Sequence, residues 1–322
     1  MTRVVVTGAN GFVGRRVCAH LVDAGREVVA VVRDARATVP AGVAQVVHIG
    51  DIDARTDWRP ALASGDVVVH LAARAHQGEE AAARADFQRI NVDGTRGLVE
   101  AAAAVQVAQI VYLSSAKVYG ECSWMDADGE PHVYTIDDVP HPRGPYGESK
   151  LAAEALLRER CAAAGIALTV LRPPLVYGPG NKANLQALLT AIARGVPLPL
   201  ASIRNRRSLV HVDNLADAIA RAIDTAHGIR LYTVADVDLS TPDLVRALAL
   251  GLGRAPRLLP CPVGALRLLG RLSGRTATIE RLIGSMVLDR ARIMRELDWR
   301  PRVDLASAMR AIGVAHREAS CR

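Results

Sequence analysis

Residues 4–14 confine this chain to a narrow set of folds. Val4-Val5-Val6-Thr7 is a continuous β-branched apolar run of the kind buried in a parallel sheet, and it passes directly into Gly8-Ala9-Asn10-Gly11-Phe12-Val13-Gly14. Helical periodicity follows from Arg15 to Ala24. A strand, a turn with glycine at every third position and then a helix is the arrangement that receives a pyrophosphate at a helix N-terminus. Gly8 and Gly11 permit the tight turn and a close backbone approach to the phosphates. The spacing is Gly-x-x-Gly-x-x-Gly, not the commoner Gly-x-Gly-x-x-Gly.

The rest of the chain extends this pattern. Strands are expected over Val4–Thr7, Val28–Val32, Val46–Ile49, Val67–Leu71, Ile110–Ser114 and Leu168–Arg172, with helical stretches such as Asn91–Ala104 and Tyr146–Ala164 between them. Such alternation predicts an α/β chain with a doubly wound parallel sheet of the Rossmann type, whose ligands sit beyond the carboxyl ends of the strands. After Pro173 the links become Pro-rich and the helices shorter, with one strand at Ser208–Val212. We therefore expect a dinucleotide-binding domain over 1–173 and a smaller C-terminal substrate lobe over 174–322, with segments returning to the main sheet. Thr241-Pro242 reads as a capping hydroxyl followed by Pro in the first turn. Ala265–Leu272 reads as an ordinary amphipathic helix.

Of the 40 cationic Lys and Arg side chains only three are Lys, and one of these, Lys150, follows Tyr146 by four positions. In a chain that uses Arg so heavily, a retained Lys points to a site needing a compact ammonium on a flexible stem. Residues four apart share a helix face, so phenol and ammonium are expected in one pocket. There the ammonium would favour phenolate and lower the Tyr146 pKa, making the pair a proton-transfer device.

Composition removes several alternatives. No apolar run reaches the roughly 18 residues of a membrane span, and the strand that follows Met1-Thr2-Arg3 leads to the expectation of a cytoplasmic chain with no membrane partner. Five scattered Cys and nine dispersed His lack paired spacing, so neither a disulfide framework nor a metal site is expected. The net charge of +7 comes from evenly spread Arg without interleaved aromatics. That disfavours nucleic acid and suits steering of a nucleotide diphosphate into a cleft.

Together these residues resemble the extended short-chain dehydrogenase/reductase family, in its nucleotide-sugar epimerase/dehydratase branch. Further matching segments are Gly50-Asp51-Ile52, Val69–Ala73, Asn91–Thr95, Leu113-Ser114-Ser115 with Val118-Tyr119-Gly120, Arg172-Pro173-Pro174 with Tyr177–Gly180, and Leu297–Pro301. Asn205–Val210 resembles a UDP-glucose 4-epimerase-like subgroup found in polysaccharide gene clusters. The resemblance implies Tyr146 as acid/base, Lys150 as its tuner and a ligand of the nicotinamide ribose, and Ser115 as the group that orients the reacting oxygen. Ser114 stands one position off that slot.

For an NAD or NADP cofactor the resemblance implies Gly8, Gly11 and Gly14 around the pyrophosphate, with Phe12 and Val13 offering backbone N–H groups. It places Asp51 and Ile52 at the adenine edge, Leu71, Ala72 and Ala73 beneath the nicotinamide side, and Asn91 and Pro173 as supports. The second strand ends in Arg33, not in the acid that usually holds an NAD ribose; Asp34 comes one residue late. Arg33 is thus a candidate for a 2′-phosphate. For a UDP-sugar substrate the resemblance implies Lys117, Asn184, Leu185, Arg207 and Arg281. Where sugar dehydratases carry Asp-Glu before Val-Tyr-Gly, this chain has Ala116-Lys117, so the groups for eliminating water are missing.

The reading is an NAD(P)-dependent enzyme acting at C4 of a UDP-hexose, as a 4-epimerase or a 4-ketoreductase, and as a homodimer. The alternatives are a redox-inert NAD(P)-sensing protein and a reductase of a non-sugar carbonyl compound.

Overall fold

The computed structural model describes residues 2–75, 81–181, 184–225 and 227–320. Strand β1 (Arg3–Thr7) leads through the glycine turn into α1 (Phe12–Asp23), followed by β2 (Glu27–Val32), β3 (Gln45–His48) and β4 (Val67–His70). Helices α2 (Ala81–Phe87) and α3 (Gly94–Ala104) lead to β5 (Gln109–Leu113), and short β6 (Val133–Tyr134) precedes the long α4 (Pro145–Ala164) and β7 (Ala167–Arg172). The second half holds β8 (Leu175–Tyr177), α5 (Asn184–Ala193), β9 (Arg207–His211), α6 (Val212–Asp224), β10 (Ile229–Thr233) and β11 (Val237–Leu239). It ends with α7 (Thr241–Gly251), α8 (Val263–Leu272), α9 (Thr276–Ile283), β12 (Val287–Leu288), α10 (Ala291–Glu296) and α11 (Leu305–Ser320).

Seven parallel strands form the central sheet in the order β10-β7-β5-β4-β1-β2-β3. The chain winds outward from β1 in one direction, then crosses back to β4 and winds in the other. A crevice is therefore left between β1 and β4 at their carboxyl ends, the place where doubly wound sheets bind ligands. Val17, Cys18 and Leu21 of α1 and Leu215 and Ile219 of α6 cover one face. Leu98 and Ala102 of α3 and Ala153 and Leu157 of α4 cover the other. With both faces buried, the strands read as continuous Val runs with no alternation.

The second half does not form a separate sheet system throughout. Its β10 adds to the central sheet beside β7, and α6 packs on α1. The remainder builds its own core from α5, α7 and α11, with Leu185, Leu189, Val245, Leu248 and Met309 at its centre. Among the described residues no helix is long and apolar enough to cross a membrane.

Three local expectations need correction. Val212 opens α6 and is not part of β9, because His211 accepts a hydrogen bond from the Asp213 N–H (3.3 Å) and caps the helix there. Ser240, not Thr241, caps α7 by accepting from Asp243 N–H (3.1 Å), whereas the Thr241 hydroxyl donates to the Leu282 carbonyl. The helix expected from Asn91 begins earlier, at Ala81, and passes through a π-helical stretch, Gln88–Asp93, before α3. Such widened turns inside helices are frequent at functional sites.

Candidate active site

The glycine turn is shaped by backbone contact. Gly8 has φ +67°, a conformation that L side chains rarely adopt, and a Cβ there would stand 3.0 Å from the Ala72 backbone. A Cβ on Gly14 would stand 2.1 Å from the Gly8 carbonyl oxygen, so α1 can meet the loop only through glycine. Gly11 is the N-cap of α1, and no side chain caps that end and no acid stands in its first turn. The first amides of α1, at Phe12 and Val13, are thus left to an outside anion. Thr7 fixes the other wall: its hydroxyl accepts from Leu71 and Ala72 N–H, both at 3.1 Å, and bonds the His70 ring at 2.8 Å. His70 also bonds Thr95, and burial lowers its pKa to about 3, so it acts as a neutral strut. This cradle suits a dinucleotide diphosphate, and the backbone of Leu71 and Ala72 stands against Gly8.

The end of β2 has a basic rim. Arg33 is exposed, with its guanidinium 3.7 Å from the exposed Asp51 carboxylate. Asp34 turns to its own loop, where its carboxylate accepts from Arg36 N–H at 2.8 Å. Ile52 packs inward instead, close against Gly94. Arg33→Asp is expected to shift preference from NADPH towards NADH, read as the ratio of dissociation constants in a fluorescence titration. An unchanged ratio would put Arg33 away from the 2′-phosphate.

At the carboxyl end of β5 the structure brings Ser115, Tyr146 and Lys150 together. Pro145 begins α4, which sets Tyr146 and Lys150 one turn apart on the face towards β5. Ser115 hydrogen-bonds the Tyr146 hydroxyl. Lys150 donates to the Leu113 carbonyl at 2.8 Å, with its ammonium 4.7 Å from the centre of the Tyr112 ring. The expected lowering of the phenol is not seen. Burial pushes Tyr146 up to about 12 against the hydrogen bond from Ser115, while burial lowers Lys150 to about 7 against the raising effect of Glu154. The ammonium is turned to the backbone, and desolvation outweighs its help to the phenolate.

A buried network beneath these groups escaped the sequence reading. Glu154, one turn beyond Lys150, takes a two-point contact from Arg172 at 3.0 and 2.6 Å and accepts the Ser114 hydroxyl. Arg172 also donates to the Tyr119 hydroxyl at 2.8 Å. Ser114 N–H donates to the Leu171 carbonyl and Ala116 N–H to the Pro173 carbonyl, both at 2.8 Å, so the turn bearing Ser115 is held from both sides. The repeated i+4 spacing Tyr146, Lys150, Glu154 was the available signal. Asn91 is buried in the π-helical stretch, where it accepts from Arg74 N–H at 2.8 Å and donates to the Ser149 hydroxyl at 2.9 Å. It ties the segment after β4 to α4; it is neither a helix cap nor open to the cradle.

On the substrate side the residues are brought together unevenly. Lys117, two positions after Ser115, forms an ion pair with Glu121. Arg207 donates to the carbonyls of Arg281 at 2.8 Å and Gly284 at 2.9 Å, and burial lowers its pKa. Arg207 and the backbone of Arg281 are therefore neighbours; the Arg281 charge adds to the lowering of the Arg207 pKa, while its own guanidinium donates to the Ala277 carbonyl at 3.0 Å. The Leu185 side chain is buried in the core of the second half. The side chain of Asn184 lies outside the described residues.

Known proteins show the same plan. Residues 4–235 match the NAD dependent epimerase/dehydratase family. A Vibrio cholerae UDP-glucose 4-epimerase is 34% identical over 325 residues, covering 99% of this chain and 97% of its own length. The N-acetyl-alpha-D-glucosaminyl-diphospho-ditrans,octacis-undecaprenol 4-epimerase of Escherichia coli O157:H7 is 30% identical over 269 residues, covering 82% of this chain and 77% of its own. Among solved structures, MoeE5 in complex with UDP-glucuronic acid and NAD superposes with a TM-score of 0.78 at 26% identity, over 98% of this chain and 99% of that one.

Proposed function

This chain belongs to the NAD dependent epimerase/dehydratase family, and we propose that it acts at C4 of a UDP-linked hexose, with NAD or NADP as hydride carrier. The observation that carries the reading is the hydrogen-bonded Ser115–Tyr146 pair beside Lys150, at the sheet end that the glycine turn also faces. When bound, the nicotinamide takes or gives the hydride. Tyr146 moves the proton of the C4 oxygen, and Ser115 orients that oxygen. Lys150 holds positive charge beneath the phenol, and Arg207 with Arg281 holds the diphosphate. Residues 1–173 would serve the cofactor and 174–322 the substrate, in a cytoplasmic homodimer.

Two reactions share these groups. An epimerase would withdraw the hydride, let the 4-keto sugar turn and return the hydride to its other face. A 4-ketoreductase would perform only the second half, and the basic Arg33 at the end of β2 favours that version, since a reductase draws on dissociable NADPH. Incubation with UDP-glucose and UDP-N-acetylglucosamine, with products followed by NMR, tests the first; oxidation of NADPH by a UDP-4-keto-hexose tests the second. Inactivity in both would reject action at C4.

Arg207→Ala is expected to weaken UDP binding by about 1.5–3 kcal/mol per lost charge-assisted bond while leaving dinucleotide binding unchanged. Calorimetric titration with UDP decides it. Unchanged UDP affinity would leave Arg207 as a brace for α9 only, the role its two carbonyl contacts already give it.

A further inference from the structure

The periodicity of residues 265–272 makes an ordinary amphipathic helix, whose apolar stripe would normally face the core. The structure turns that stripe outward. Ala265, Leu268, Leu269 and Leu272 stand at i, i+3, i+4 and i+7 of α8, on one face, and all four are exposed, with Leu272 at 77%. The opposite side carries the packing. Leu266 is buried there, and a Cβ on Gly270 would come 2.9 Å from the Ile279 side chain of α9. Helix α8 is thus apolar on two sides, with Arg267 and Arg271 between them. Leu250 and Leu259, ahead of α8 in the chain, are exposed as well, at 76% and 50%.

Charge separates the partners such a face can take. Residues 250–283 contain six Arg and a single acidic residue, Glu280, which is paired with Arg267 at 2.9 Å. The arginines are denser here than an even spread of the chain's 37 would make them, and their acidic counterweight is a single residue, so most of the chain's net charge of +7 resides in this segment. A second copy closing on the same face would set two such segments against each other, and like-charge juxtaposition opposes it. An anionic bilayer surface meets both features at once. Leucines enter the headgroup–acyl boundary while arginines at the flanks meet lipid phosphates. We propose that α8, with the adjoining Arg-rich loops, is a docking surface for an anionic lipid bilayer, holding the substrate lobe against the membrane surface.

The test is co-sedimentation of the full-length protein with sucrose-loaded vesicles. Vesicles of phosphatidylglycerol and phosphatidylethanolamine should carry the protein into the pellet, vesicles of phosphatidylcholine alone should not, and added salt should release it. The double variant Leu268→Ser/Leu272→Ser should lower the bound fraction at least about tenfold, because two leucines no longer leave water. Its thermal melt and its turnover should stay at the wild-type level, since neither residue touches the candidate active site. Three results would overturn the proposal: wild-type protein remaining in the supernatant with anionic vesicles, the variant pelleting as well as wild type, or a soluble wild-type dimer that the double substitution converts to monomer. The last would assign the face to a second copy of the chain.

Discussion

Tyr146→Phe is expected to bind dinucleotide like the wild type and to lose about 10²- to 10⁴-fold in turnover, the range associated with general acid/base catalysis. The substitution removes one oxygen and keeps the ring, including its contact with Phe87 at 5.9 Å between centroids, so α4 and the pocket wall stay in place. With its pKa pushed up to about 12, the phenol carries its proton throughout neutral pH. It is then ready to act as an acid towards a carbonyl oxygen, the direction a reductase uses. Withdrawing a proton from a 4-hydroxyl instead needs positive charge close by. Lys150 can supply it, and with a pKa of about 7 its ammonium is lost as pH rises through neutrality. The positive charge of an oxidised nicotinamide, when bound, would add to it. Turnover and dinucleotide affinity measured side by side check the prediction, and near-wild-type turnover would remove Tyr146 from the chemistry.

Much of the cofactor side was legible because it depends on local sequence. The glycine turn is a backbone shape, and the residues that need it, Gly8 and Gly14, follow a strand and open a helix within a dozen positions. Tyr146 and Lys150 share one helix, where spacing alone decides which face they occupy. The missed parts depend on long-range contacts. Glu154 and Arg172 each read as an ordinary charged residue until β7 is placed beside β5, 18 residues after the helix position it meets. The outward stripe of α8 was not legible for the same reason: periodicity shows that a helix has an apolar face, but only packing shows which way it points. The Tyr146 pKa went the other way from expectation because spacing counts the neighbouring charge and omits the desolvation that accompanies it.

The largest expected change in stability lies in the buried pair. Glu154→Ala should lower the unfolding free energy by about 3–5 kcal/mol, the range for removing one partner of a buried ion pair. Glu154 and Arg172 are both nearly inaccessible, at 1% and 2% exposure, so the guanidinium left behind has no route to water. Ser114 and Arg172 would each lose their partner, while the bond from Arg172 to Tyr119 would remain. The desolvation of an uncompensated charge therefore dominates the loss. The corollary separates this from simple loss of packing. In Glu154→Leu/Arg172→Met both charges are gone, and much of the lost stability should return, as replacement of whole buried pairs by apolar groups is often neutral. Urea unfolding of the wild type, the single variant and the double variant measures all three. If the double variant is no more stable than Glu154→Ala, the stabilising element is the shape of the site and not the pairing of its charges. Turnover of the double variant carries a second answer. The network holds Ser114 next to Ser115 and faces Lys150, so a protein that regains stability but not activity would show that the pair serves to position the proton-transfer groups as well as to hold β5 and β7 to α4.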